Sequence, residues 1–167
     1  MTILFYRRDR DGYGWLSNFY RAPFCLGGVV YVTNENWFQS QKARSEFQRA
    51  QIAAAPTPGE VKKMGRSCSL RGDWEAVKER IMLIGLHAKF TQNPPLYLKL
   101  LDTGEEKLVE DSPTDAYWGA PDRRGKNRLG VLLMELRAHF RCHELLTGIQ
   151  VWSGMVLSTP TIAGKRG

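Results

Sequence analysis

The chain is poor in the residues that build cross-links and metal centres. Its 167 residues include only three cysteines, Cys25, Cys68 and Cys142, far apart and without a C-x-x-C pair. That pattern excludes a disulfide framework and a thiolate zinc site, and the expected compartment is a reducing one, the cytoplasm. Histidine is as scarce, at three. His139 and His143 stand four apart, as two ligands on a helix would, but no further ligand lies near them, so they are expected to be exposed surface histidines and no metal is expected. No apolar run approaches the roughly 20 residues that a membrane-spanning helix needs, so no membrane partner is expected. Residues 1–5 are too short for the apolar part of a signal peptide before Arg7, Arg8 and Arg10 follow. Repeats, low-complexity tracts and Lys/Arg blocks of five or more are also missing, which leaves no solenoid and no basic tail to explain.

What remains is ordinary globular composition, 43% hydrophobic and 25% charged, long enough for one domain with a core. The net charge is +7 and the isoelectric point near 9.5. Such a balance attracts polyanions or phosphate-bearing ligands, and a solvated basic surface accounts for it equally well. The charge is spread, with a local concentration at Arg123, Arg124, Lys126 and Arg128.

Hydrophobic periodicity and turn residues give the elements. A strand is predicted over residues 3–7, and a hairpin over 24–32 whose Gly27-Gly28 supplies the positive φ of a two-residue turn. Thr33 or Asn34 is expected to cap a helix reaching about residue 55, where Pro56 interrupts it. Thr57-Pro58-Gly59-Glu60 reads as a capping box opening a short helix that ends at Gly65. Asp73 is the expected cap of a longer helix buried along Trp74, Val77, Ile81, Ile84 and Ala88. Pro94-Pro95 opens another helix that Gly104 closes, and residues 107–109 suit a short strand. Residues 112–126 read as an irregular loop. Asn127 is expected to cap a last helix with Leu129, Leu132, Leu133, Leu136 and Phe140 facing inward.

Several polar residues fall where a structural role alone does not require them. Glu35 and Lys42, seven apart, share one face of the predicted helix, with Phe38 between them. A solvated salt-bridge face and a functional pair both fit that spacing. Asn18 and Phe19, in Ser17-Asn18-Phe19-Tyr20, lie among aromatics in a loop. Asp115 does the same in Asp115-Ala116-Tyr117-Trp118-Gly119, which continues through Gly125 to Asn127 at a helix start. A helix N-terminus with Arg123, Arg124 and Lys126 beside it is a place for a phosphate, and a plain cap with turn glycines is the alternative.

Taken in order, Ser17-Asn18-Phe19, Glu35 with Gln41-Lys42-Ala43, Gly65-Arg66, Trp74, Met82, Lys89-Phe90, Leu100-Leu101, Glu110, Asp115, Trp118-Gly119, Gly125, Asn127 and Leu129-Gly130 closely resemble the NADAR, or YbiA-like, family. The resemblance covers about residues 5–141. It implies a mainly helical α+β fold with a small antiparallel sheet near the N-terminus, and N-glycosidase chemistry on ribose-phosphate compounds. Members similar to this chain remove ADP-ribose from guanine bases of nucleic acid or nucleotide, or cleave phosphorylated intermediates of riboflavin synthesis. The family's functional positions fall on Glu35, Lys42, Trp74, Asp115 and Trp118. Two positions depart from the pattern: Asn36 stands where a histidine is usual, and Pro121 where a glycine is common. On this reading residues 1–146 form a single catalytic domain, and 147–167 are an extension expected to be partly flexible.

Breaking a C1′–N bond develops positive charge on the ribose, so the site needs an anion near C1′, a proton donor for the departing base and a nucleophile. Glu35, Lys42 and Asp115 are the candidate catalytic residues. Position near a helix N-terminus is expected to keep Glu35 ionised, which suits cation stabilisation or water activation. Asp115 then holds the ribose or assists the leaving group. Lys42 either attacks C1′ as a neutral amine and forms a Schiff base, or stays charged and binds an oxygen. The candidate substrate-binding residues are Asn18, Phe19, Arg66, Trp74, Trp118, Gly119, Arg123 and Asn127. The two indoles suit stacking on a planar base, although Trp74 also opens a buried stripe and reads as core. No metal or cofactor is required. The expected partners are an ADP-ribose or other ribose-phosphate compound and ADP-ribosylated DNA or RNA. A nucleic-acid-binding module and a binding-only ADP-ribose domain are the competing classes, and a purely nucleic-acid-binding role leaves Glu35 and Asp115 unexplained.

Overall fold

The structure is a computed structural model that describes residues 1–6 and 12–147. It is a mainly helical α+β fold, as expected, with two small sheets. The first strand, β1 (Thr2–Phe5), alternates so that Ile3 and Phe5 enter the core. The hairpin of β2 (Phe24–Leu26) and β3 (Val29–Tyr31) is antiparallel. Gly27 and Gly28 turn it at φ of +58° and +78°, a left-handed pair that side chains resist. β4 (Lys107–Glu110) pairs with β1 in parallel, Thr2 opposite Lys107 and Phe5 opposite Glu110. That second sheet was not legible in the sequence, because two four-residue strands a hundred residues apart carry no local sign of each other.

Six helices complete the described fold: α1 (Asn34–Ser40), α2 (Glu46–Ala54), α3 (Pro58–Ser67), α4 (Trp74–Thr91), α5 (Pro94–Asp102) and α6 (Arg128–Thr147). The helix predicted over residues 34–55 is therefore two. The chain leaves α1 at Gln41 because Ala43 bridges Leu70 and the Lys42 carbonyl accepts from the Arg71 amide at 2.9 Å. Thr33 caps α1, its hydroxyl accepting from the Asn36 amide at 3.2 Å. At α3 Thr57 likewise accepts from the Glu60 amide, and the helix runs two residues past Gly65. Gly65 serves packing instead of termination, since a Cβ there would lie 2.1 Å from Gln39 Oε1 of α1.

Asp73 precedes α4 without a capping bond, its carboxylate being taken by Arg71. The buried face of α4 is Trp74, Ile81, Met82, Gly85, Leu86, Ala88, Lys89 and Phe90, whereas Ile84 is exposed. α5 closes as expected, with Gly104 at φ +60° donating to the Leu101 carbonyl. The core gathers β1, β4 and the inner faces of α4, α5 and α6, with Leu129, Leu132, Leu133, Leu136 and Phe140 all buried. Among the described residues no helix is long and apolar enough to cross a membrane. Arg7 and residues 148–167 lie outside the described residues, and with them the expected end of the first strand and the expected extension.

Candidate active site

The loop before the hairpin, α1 with the turn after it, α3, Met82 of α4 and residues 110–118 converge on one cavity of about 410 Å³. The loop before the hairpin brings Asn18 and Phe19, α1 and the turn after it bring Glu35, Phe38, Gln39 and Lys42, and α3 brings Lys62 and Arg66. Glu110 enters from the end of β4, and residues 114–118 form the remaining wall. A wider groove of about 720 Å³ between the hairpin and α2 has one carboxylate, Glu46, and no comparable cluster of charge.

Asn18 is placed by its contacts with α1. Its carbonyl accepts from the Glu35 amide at 3.1 Å and its Oδ1 accepts from Asn34 Nδ2 at 2.8 Å. The loop that carries it is clamped from below by fully buried Lys89, whose Nζ donates to the carbonyls of Trp15 and Ser17 at 2.7 and 2.9 Å. Burial, with no carboxylate partner, pulls the Lys89 ammonium down to about 7.

Glu35 is 5% exposed and accepts from Gln39 Nε2 at 2.8 Å. Burial pushes its carboxyl above the usual range, opposed by the Gln39 hydrogen bond and by Lys62 and Lys42. Burial therefore works against the ionised form that the helix start favours. Asp115 is held differently, one oxygen accepting from the amides of Tyr117 and Trp118 at 3.0 and 2.8 Å. Glu110 is the third carboxyl of the cavity and is pushed up to about 8 by burial, with Asp115 and Glu35 adding to the shift.

Facing these acids, Lys42 sits beyond the end of α1, so the shared helix face is not what joins it to Glu35; the fold is. Its Nζ lies 5.4 Å from the centroid of the Phe38 ring and 5.5 Å from that of Trp74. Burial lowers its ammonium below the ordinary lysine value, and Glu35 opposes that shift. Lys62 and Arg66, one turn apart on α3, complete the basic wall. Trp118 lines the cavity with its ring 5.2 Å edge-on to Phe38.

Trp74, Gly119, Arg123 and Asn127 do not line the cavity. Trp74 is core, 6% exposed and stacked obliquely under Phe38 at 5.1 Å. Arg123, Arg124 and Lys126 are exposed on the outside of the loop. The helix start behind them offers no phosphate site, because the amides of Asn127, Arg128 and Leu129 donate to the loop carbonyls of Gly119, Tyr117 and Trp118. Asn127 itself has φ +50° and caps nothing with its side chain, which bridges to β4 through the Glu110 amide and the Leu108 carbonyl. The two departures from the family pattern also point elsewhere. Asn36 donates to the Ala53 and Ala55 carbonyls at the end of α2, and Pro121 opens a 3-10 turn on the outer loop.

Sequence reasoning passed over Lys62, Gln39 and Glu110 as site residues. Lys62 was recoverable from Arg66 by the i, i+4 rule and Gln39 from Glu35 in the same way, whereas Glu110 depends on the β1–β4 pairing. Among the described residues no three His, Cys, Asp or Glu side chains form a group able to hold a metal ion.

Comparison with known proteins places the chain as a whole. The NADAR domain family matches residues 4–141. N-glycosidase YbiA of Escherichia coli is 45% identical over 139 residues, 81% of this chain and 87% of that protein. An N-glycosidase of Nostoc punctiforme is 40% identical over 156 residues, 89% of this chain and 99% of that protein. A riboflavin biosynthesis protein of Vibrio vulnificus is 32% identical over 94% of this chain but only 43% of its own length. In three dimensions the NMR structure of E. coli YbiA superposes with a TM-score of 0.79 at 44% identity, covering 86% of this chain and 87% of that one. With helices, sheets and nearly the whole described length accounted for, the chain belongs to the NADAR family, among relatives that are N-glycosidases.

Proposed function

We propose that the protein hydrolyses the N-glycosidic bond between a base and the ribose of a phosphorylated nucleotide, and that ADP-ribose attached to guanine is its substrate class. The observation that carries this reading is the convergence, in one cavity, of three carboxyls and three cations with an indole. Glu35 and Asp115 face the ribose, where positive charge develops as the bond breaks. Trp118 stacks on the base. Lys62 and Arg66, one turn apart, match the spaced charges of a diphosphate. Lys42, desolvated over two aromatic rings, is the amine that captures C1′ as a Schiff base. A guanine carried in DNA or RNA reaches the same cavity, and the net charge of +7 favours that approach.

The likeness to a riboflavin biosynthesis protein supports a second reading, in which the substrate is a phosphorylated ribosylaminopyrimidine with a single phosphate. One experiment separates the two. The protein is incubated with ADP-ribosylated guanosine, ADP-ribosylated DNA, NAD and the ribosylaminopyrimidine phosphate, with borohydride added to parallel samples. Mass spectrometry is expected to find guanosine, or DNA with its guanine unmodified, together with ADP-ribose, and a reduced ADP-ribosyl adduct on the peptide containing Lys42. Release of the pyrimidine alone moves the assignment to the second reading. Turnover without any adduct leaves Lys42 an electrostatic residue, and unchanged turnover by Lys42→Ala removes it from the chemistry.

A further inference from the structure

The site as described has an anion, a nucleophile and a stacking surface, but the departing base also needs a proton. We propose that Glu110 is the general acid of this site, the group that protonates the leaving base. The inference rests on the N-glycosidase reading above. Its first support is placement. Glu110 ends β4, and its backbone is fixed on both sides: its amide donates to Asn127 Oδ1 and its carbonyl accepts from the Ala120 amide, each at 2.9 Å. Gly119 packs so closely that a Cβ there would lie 2.9 Å from the Glu110 carbonyl oxygen and 2.7 Å from Ser112 Cβ. Asn127 and Gly119, which do not reach the cavity, are thus positioning residues that hold the carboxyl which does.

Comparison of the three acids gives the second support. Glu35 accepts from Gln39, and Asp115 spends one oxygen on two backbone amides. Among the described residues no hydrogen bond or ion pair engages the Glu110 carboxyl. It shares the cavity with Glu35 and Asp115 and with Lys42, Lys62 and Arg66. Burial and the two neighbouring carboxyls hold its proton up to about pH 8, so the acid is loaded at neutrality. In the reaction the C1′–N bond breaks with its electron pair left on the base, and the Glu110 proton moves to that base. One water is consumed: its hydroxyl ends on C1′, directly or after capture by Lys42, and its proton restores Glu110.

The test uses Glu110→Gln and Glu110→Asp in the full chain, on whichever N-glycoside of the panel above the wild type cleaves. Turnover of an unexpected compound then corrects the substrate class and still tests the acid. The wild-type rate is expected to fall above about pH 8. Glu110→Gln is expected to lose about 100-fold in kcat and to show no such alkaline limb, with a melting temperature at neutral pH no lower than that of the wild type and unchanged affinity for the ribose-phosphate product. Glu110→Asp, which keeps an acid, is expected to keep the limb and recover part of the rate. A Gln variant within threefold of wild type, or one retaining the alkaline limb, overturns the proposal. Loss of product affinity or of stability in step with the rate also overturns it, and assigns Glu110 a structural role.

Discussion

Glu35 occupies the point where burial and charge conflict most sharply. Its folded carboxyl is raised above its value in the unfolded chain, so it contributes stability below the unfolded value near 4.5 and loses that contribution as the pH rises through the folded one. Glu35→Gln removes the titration. The variant is expected to lose about 100-fold or more in kcat, as for a group that meets developing charge. Its denaturant midpoint is expected to vary less with pH above 4.5 than that of the wild type, with the difference in the variant's favour at neutral pH. Rate assays and urea titrations at pH 5 and 7.5 check the pair, and a wild-type rate excludes Glu35 from the mechanism. The residue was visible in the sequence as an acid at a helix start. The upward shift of its carboxyl was not, because the desolvation that causes it belongs to the folded cavity and not to the helix.

Among the elements, α1 is held by close contacts with two helices through glycines. A Cβ at Gly65 of α3 would meet Gln39 Oε1 at 2.1 Å, and one at Gly85 of α4 would meet Asn34 Oδ1 at 2.0 Å and Trp37 Cδ1 at 2.3 Å. Gly65→Ala therefore sets two effects against each other. Alanine favours a helix by up to about 1 kcal/mol, while overpacking costs about 1–3 kcal/mol. The neighbour is the side chain that holds Glu35, so the steric term is expected to win, lowering the urea midpoint and reducing kcat at nearly constant KM. A stabilised, fully active Gly65→Ala would show that Gln39 moves aside freely. The same region marks the limit of reading elements from pattern. Residues 34–55 carry no internal proline or glycine, so one helix was the natural inference; the break comes from the bridge between Ala43 and Leu70, a contact that periodicity does not encode. By contrast the hairpin, α3, α5 and α6 were legible because their turn and cap residues, or their apolar stripe, act locally.

For the whole molecule, the excess of positive charge divides into an inner and an outer population. Lys62 and Arg66 line the cavity, while Arg123 and Arg124 stand on the outer loop. A Lys62→Ala, Arg66→Ala double variant is expected to raise KM for a phosphorylated substrate at least tenfold, with little effect on a matching nucleoside. The Arg123→Ala, Arg124→Ala pair is expected to change KM for the mononucleotide by less than threefold, and its effect on a nucleic-acid substrate to fade as salt rises. Equal effects of the two double variants on the small substrate would reject the division.

The parallel pairing of β1 with β4 also has a temporal side. Ile3 and Phe5 are made 105 positions before their partners Leu108 and Glu110. At about 5–20 residues per second, the first strand waits roughly 5–20 seconds with its apolar side chains uncovered. Throughout that interval the nascent chain presents this strand to chaperones before it can bury it.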